Sequence, residues 1–299
     1  MKRLLVLINP SAGTIKRAPD PDALIAQVRS TFAAAAPDAQ VVLGPPPDLI
    51  ERATRAASEG FHAVIAGGGD GTLNAVANEL ADSDVAFGVL PLGTFNHFAK
   101  EMGVGLDVAE AIPALVNGSV HDLPVAEVSG RIFLNFSSLG LHVEIVQDRE
   151  AQQEHQGRNK FIAMGIAAVR KIKDPPLLRV RLTSDGQSIT RFTPSVIICN
   201  NPYQMKVFGV ENASVADREL LNVYIAREHR PLGIARLLLR AAVGRLEQAA
   251  NFEVLALKQF ALFTRPGVRL SIDGELVDMR PPFHFRIRPR PLKILRPRS

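Results

Sequence analysis

The sequence predicts an α/β protein joined to an all-β one: a doubly wound parallel α/β domain at the N-terminus, then a C-terminal antiparallel β-sandwich domain. Three observations predict it. Short, continuous apolar runs at residues 4–8, 40–43, 63–66 and 86–90 alternate with helical patterns over the first 120 residues, as in a parallel sheet covered on both faces. Beyond about residue 121, short alternating segments separated by turn residues take over, the grammar of an antiparallel sandwich or barrel. Loops of small residues also follow three of the four early strands, where ligands bind in open α/β sheets.

Taken in order, the run at 4–8 is a buried first strand. It follows Met1-Lys2-Arg3 and so resembles a leader for a few residues, but it is too short and ends in Asn9-Pro10 without a cleavage-type segment. Helical patterns occupy 21–35, 47–58, 72–81, 94–101 and 107–117, with Asp20 before Pro21 and Asp48 after Pro47 supplying helix-start chemistry. In the second half, strands are expected at 124–128, 132–137, 178–182, 195–200, 220–226, 268–272 and 283–287, interrupted by helical insertions at 159–173 and 231–250. The expected domains are 1–120 and 121–288, with 289–299 a segment that returns to the first.

Composition narrows the function classes. Of 299 residues, 46% are hydrophobic and 22% charged, the balance of a globular protein. No run reaches the roughly 18–20 apolar residues a bilayer span needs, so a cytoplasmic protein is expected. The single cysteine, Cys199, excludes an internal disulfide and a cysteine-rich zinc site. The net charge of +5 suits an acidic partner. The excess gathers at the end, where Arg280, Arg286, Arg288, Arg290, Lys293, Arg296 and Arg298 follow the last acid, Asp278. That end reads as a solvated strand face with a charged tail, or as attraction to an anionic membrane surface.

The most informative segment is Gly67-Gly68-Gly69-Asp70-Gly71-Thr72 between the third strand and a helix. Adjacent glycines let backbone approach a ligand closely, and the helix that follows aims unpaired N–H groups at an anion. A carboxylate, Asp70, beside phosphate implies a bridging Mg²⁺ or a hydroxyl being positioned. Asn9-Pro10-Ser11-Ala12-Gly13 and Pro91-Leu92-Gly93-Thr94-Phe95-Asn96 close the first and fourth strands. Each alone is an ordinary strand-to-helix turn; together they would line one crevice, with Thr72, Thr94 and Asn96 bonding phosphate or ribose. G-x-x-x-x-G-K-[ST] does not occur, and the glycine loop fails G-x-G-x-x-G because Thr72 stands where a third glycine should be. Late in the chain, Asp273-Gly274-Glu275 reads as a hairpin turn. A phosphotransferase also needs a base for the hydroxyl proton, and Glu275 would serve if the second domain folds over the crevice. The seven histidines show no metal-ligand spacing.

These residues together resemble the diacylglycerol kinase catalytic-domain family, in particular its soluble bacterial lipid kinases. The family's N-P-x-[SA]-G is similar to residues 9–13, its G-G-D-G-T to 68–72, its P-L-G-T-x-N-D-F-A to 91–99 and its D-G-E to 273–275. Asn74 and Glu79 match the helix after the glycines, 135–140 the first strand of the second domain, and Asn200-Asn201 an asparagine-bearing strand. The resemblance implies ATP held by Asn9, Ser11, Gly13, Gly68, Gly69, Asp70, Gly71, Thr72, Asn74, Thr94 and Asn96. It implies a lipid hydroxyl received in the cleft between domains, Glu275 as general base, and Asp70 and Asp273 among the catalytic carboxylates, with Mg²⁺. It also implies a structural metal near Asp217, Ser214 and Glu219. The expected partner is a membrane lipid, reached by peripheral docking through 231–250 or the basic end, and not nucleic acid; a homodimer stays open. Three departures stand out. His97 replaces the family's Asp, Arg218 replaces a glycine (with Asn222 for a frequent acid), and Gly44-Pro45-Pro46-Pro47 stands where a threonine is expected. His97 favours a different reading, a non-catalytic lipid- or nucleotide-binding regulator. An NAD-kinase-like enzyme would share only the glycine loop.

Overall fold

A computed structural model of the chain describes residues 3–94, 96–141, 143, 177–199, 219–228, 230, 232–234, 236 and 252–298. The chain divides into two compact units, Met1–Val125 with Arg288–Ser299, and Ala126–Ile287.

The first unit begins with β1 (Leu4–Ile8), α1 (Gly13–Arg17), α2 (Pro21–Ala35), β2 (Gln40–Leu43), α3 (Pro46–Arg55), β3 (Ala63–Gly67), α4 (Asp70–Leu80), β4 (Ala86–Leu90), α5 (His97–Glu101), α6 (Val108–Val116) and β5 (Ser119–Leu123). Strands β2-β1-β3-β4 are parallel neighbours in that order. Every residue of β1, β3 and β4 is buried, which is why these strands read as unbroken apolar runs. Asp20 caps α2, its Oδ1 accepting from the Ala23 N–H at 2.9 Å. Asp107 caps α6 through the N–H groups of Ala109 and Glu110. The chain reverses direction across the sheet at β1. Right-handed crossovers then put α2, which packs with α6, on one face and α3, which packs with α4, on the other.

The second unit contains β6 (Ala126–Val128), β7 (Arg131–Phe133), β8 (Ser137–Gly140), β9 (Leu178–Ser184), β10 (Gln187–Thr193), β11 (Ser195–Cys199), β12 (Leu221–Ala226), β13 (Phe252–Leu257), β14 (Gln259–Phe263), β15 (Leu270–Ile272), β16 (Glu275–Val277) and β17 (Phe283–Ile287). They form two antiparallel sheets, β10-β9-β14-β17-β6-β7 and β13-β12-β11-β8-β15-β16. The sheets share one apolar core. Val180, Leu182, Phe260 and Phe285 come from the first and Leu139, Val196, Ile198 and Val223 from the second, and the Phe260 and Phe285 rings stack at 4.9 Å. This is the sandwich the sequence predicts.

The last strand, β18 (Leu292–Arg296), lies in the first unit, between β4 and β5. It runs parallel to β4 and antiparallel to β5, so the first sheet is mixed and the chain passes to the second unit after Val125. The basic end is therefore largely occupied. Arg288 pairs with Asp82, Arg290 with Asp84 at 3.0 Å, and Lys293 with Asp84 and Asp122. Arg286 pairs with Glu127. The helical insertion expected at 159–173 and nearly all of 231–250, the expected docking segment, lie outside the described residues. Among the described residues no helix is long and apolar enough to cross a membrane.

Leu292, Ile294 and Leu295 are buried, and their burial stabilises the first unit by roughly 5 kcal/mol or more. Ending the chain after Ile287 is expected to abolish the cooperative thermal melt of the first unit; an unchanged melting curve would remove β18 from that role.

Candidate active site

The reversal at β1 leaves a crevice beyond the carboxyl ends of β1 and β3, where neighbouring connections leave on opposite faces. The glycine loop and the 9–13 loop end those two strands, and the 91–96 loop ends β4 beside them. Packing between the loops is close. The Asn9 N–H donates to Gly67 O at 2.9 Å, and the buried Asn9 Nδ2 donates to Thr72 Oγ1 at 3.2 Å. Asn9 Oδ1 accepts from the Ser11 N–H at 2.9 Å, closing a turn on its own loop. Thr14, just past Gly13, donates its N–H to Leu92 O and its hydroxyl to Gly93 O at 2.7 Å. At Gly93 a Cβ would meet the backbone oxygen of Gly68 at 2.9 Å and Asn96 Oδ1 at 3.0 Å, so only glycine lets the two loops approach this closely. A Cβ at Gly13 would strike Thr94 Oγ1.

Helix α4 opens on this crevice. Gly69 is its N-cap with no side-chain cap, and Asp70, Gly71 and Thr72 form its first turn. The N–H groups of that turn have no intrahelical acceptor and favour an anion at the helix end. Asp70 is the acidic residue of the turn. Across from it, His97 begins α5. Burial holds the imidazole below its ordinary range, the Asp70 carboxylate opposes this and Lys100 adds to it. That shift favours the neutral imidazole, a ring nitrogen where a carboxylate would bring a second negative charge.

Some residues that the sequence assigns to the ligand also brace the local backbone. Asn96 accepts from the Gly93 N–H at 2.8 Å and donates to Pro91 O, in the left-handed region at φ 52°. Asn74 is buried within α4, its Oδ1 accepting from Asn78 Nδ2 at 3.0 Å. Ser11, Gly68, Gly69 and Thr94 line the loops themselves. Sequence reasoning missed Arg17. This exposed residue at the end of α1 places Nη1 3.4 Å from Thr94 Oγ1 and brings a cation to the loops. The signal available was Lys16-Arg17 one helical turn beyond Gly13.

In the second unit, Asp273 and Gly274 are the two turn residues between β15 and β16, both at positive φ (49° and 85°), a type I′ hairpin turn. The buried Asp273 carboxylate accepts three backbone N–H groups, from Leu134 at 2.8 Å, Asn135 at 2.7 Å and Phe136 at 3.0 Å. Its own N–H donates to Phe136 O. Asp273 thus anchors the turn to the segment before β8, and Glu275 emerges from it as the exposed first residue of β16. Of the expected structural metal set, Ser214 and Asp217 lie outside the described residues; Glu219 is an exposed turn residue. No cluster of three His, Cys, Asp or Glu side chains able to hold a metal occurs among the described residues.

Residues 3–128 match the family model described as "Diacylglycerol kinase catalytic domain". Residues 138–296 match "YegS C-terminal NAD kinase beta sandwich-like domain". A "Putative lipid kinase" of Staphylococcus carnosus is 24% identical over 215 residues, 70% of this chain and 69% of that protein. One of Staphylococcus aureus (strain N315) is 25% identical over 234 residues, covering 76% and 75%. The crystal structure of "a putative diacylglycerol kinase from Bacillus anthracis str. Sterne" superposes with a TM-score of 0.78 at 22% identity, covering 99% of this chain and 97% of that one. That likeness is one of fold.

Replacing Asp273 with Asn sets an amide NH₂ against backbone donors and removes charge-assisted hydrogen bonds, at a cost of roughly 3 kcal/mol. The expected result is a clearly lower melting temperature for the second unit with that of the first unit unchanged, read by calorimetry.

Proposed function

Because the chain belongs to the diacylglycerol kinase catalytic-domain family, we propose that it is an ATP-dependent lipid kinase, transferring the γ-phosphoryl group to the hydroxyl of diacylglycerol or a related lipid. One observation carries the reading: the Gly68–Thr72 loop opens an uncapped helix at the switch point of the sheet, with a single carboxylate, Asp70, in its first turn.

The loop N–H groups and the end of α4 bind the phosphates and meet the charge that builds on them during transfer. Thr94 and Arg17 extend that anion site, Arg17 as a cation able to grip phosphate oxygens in two places at once. Asp70 fits Mg²⁺, which in kinase sites is commonly held by one or two carboxylates together with substrate phosphates and water. When bound, the metal neutralises charge on the β- and γ-phosphate oxygens. Glu275 takes the proton of the lipid hydroxyl as its oxygen forms the new bond to the γ-phosphorus; the bond from that phosphorus to the bridging oxygen breaks and ADP leaves. Asp273, both of whose oxygens accept backbone N–H groups, positions Glu275 and does not itself react. A second reading, a lipid- or nucleotide-binding regulator, is favoured by His97 in place of the family's acid.

Incubation with labelled ATP, Mg²⁺ and a total lipid extract is expected to yield a phosphorylated lipid; none at any metal condition, with the protein folded, would leave the regulator. Glu275→Gln is expected to lower kcat by about 10²-fold or more, as loss of a general base does, without changing the Kd for ATP. Near-normal turnover would exclude Glu275 as the base. Arg17→Ala is expected to weaken ATP binding by about tenfold, the scale of one lost charge-assisted bond, while leaving adenosine binding unchanged. Equal losses for ATP and adenosine would show that Arg17 acts on the fold.

A further inference from the structure

The outer face of the sheet β10-β9-β14 is unlike the rest of the described surface. Along β9, side chains alternate between core and solvent: Leu178, Val180 and Leu182 are buried, while Arg179 and Arg181 are exposed. Leu177 shares their face by the same alternation. It is 51% exposed, and Phe192, paired across from Arg179 on β10, is 62% exposed. Arg181 pairs with Thr190 on one side and Phe263 on the other, and its guanidinium lies over the Phe263 ring at 4.5 Å. Arg265 follows, exposed. These rows therefore present two bare apolar side chains, an aromatic ring and three guanidinium groups, with no carboxylate among their described residues. The nearest acid along the hairpin, Asp185, sits in the β9–β10 turn at the other end of the strands. The inward-leaning arginine of β10, Arg191, is bound to Glu253 by a two-pronged ion pair at 2.7 and 2.8 Å and adds no open charge.

We propose that this face, Leu177, Arg179, Arg181, Phe192 and Phe263 with Arg265, docks the protein on a bilayer rich in anionic lipid. Charge complementarity selects the occupant. Arginines near an anionic leaflet are drawn to it, and they leave apolar side chains free to enter the boundary between headgroups and acyl chains. Leu177 and Phe192 are each more than half exposed, and a strand face offers them together to a flat surface. The inference deepens the lipid-kinase reading, since a bilayer lipid is reached only at its surface. It also moves the docking element from helix 231–250 to β9 and β10.

The test is flotation of the whole chain, without nucleotide, with vesicles of phosphatidylcholine alone or of phosphatidylcholine and phosphatidylglycerol at 4:1. The wild type is expected to float with the anionic vesicles and to be released as salt rises. Arg179→Ala with Arg181→Ala is expected to weaken that partitioning about thirtyfold, at about fivefold per basic residue. Phe192→Ser is expected to weaken it in a way that added salt does not mimic. Phosphorylation of lipid in detergent micelles should stay unchanged in both variants while phosphorylation in vesicles falls, so a failed kinase assay leaves the flotation result standing. Equal flotation of wild type and the double variant overturns the proposal. So does binding to single-stranded DNA or an acidic protein that the same variants abolish, with no vesicle binding.

Discussion

The site depends on the approach of two backbone segments, the loop after β3 and the loop after β4, at Gly93. With no side chain there, Gly68 O and Asn96 Oδ1 come within the radius a Cβ would occupy. The Asn96 amide is then free to tie Gly93 to Pro91, Thr14 can reach Gly93 O, and Asn9 can reach Thr72. These bonds are neutral, each worth about 1 kcal/mol. Their effect is geometric: they hold the first turn of α4 open beside Thr94 and Arg17, so that an anion meets donors already in place.

Residue type alone does not separate polar side chains that brace the backbone from those left to meet a ligand. Asn96 and Asp273 belong to the most recognisable motifs of the chain, yet their polar atoms are engaged by backbone. Asp70 opens α4, and the exposed Glu275 opens β16. His97 sets an imidazole beside Asp70, and burial favours its neutral form.

Legibility of the fold followed burial. β1, β3 and β4 are apolar throughout because both faces are covered, and the sequence marks them to within a residue. β5 and β10 are polar and mostly exposed; only their partners make them strands, so no run announces them. The five residues of α1 form little more than one uncapped turn, and without it Arg17 has no visible address. Helix α4 begins two residues before the predicted 72, because Gly69 takes the N-cap and draws Asp70 and Gly71 into the first turn. The Asp-Gly turn was legible as a hairpin; the anchoring of Asp273 to residues 134–136 was not, because those partners lie some 138 positions away in the chain.

The placement of β18 also sets the order in which the protein can be made. Residues 292–296 leave the ribosome only after the whole second unit, yet they fill the slot between β4 and β5. Until then the nascent first unit carries β4 with an open edge, its apolar strand available to any passing chain. All twelve described strands of the sandwich precede β18, so the sandwich does not wait on it. The first sheet is thus the last part to be sealed. A stalled or prematurely released chain would present an unsealed first sheet to chaperones and proteases.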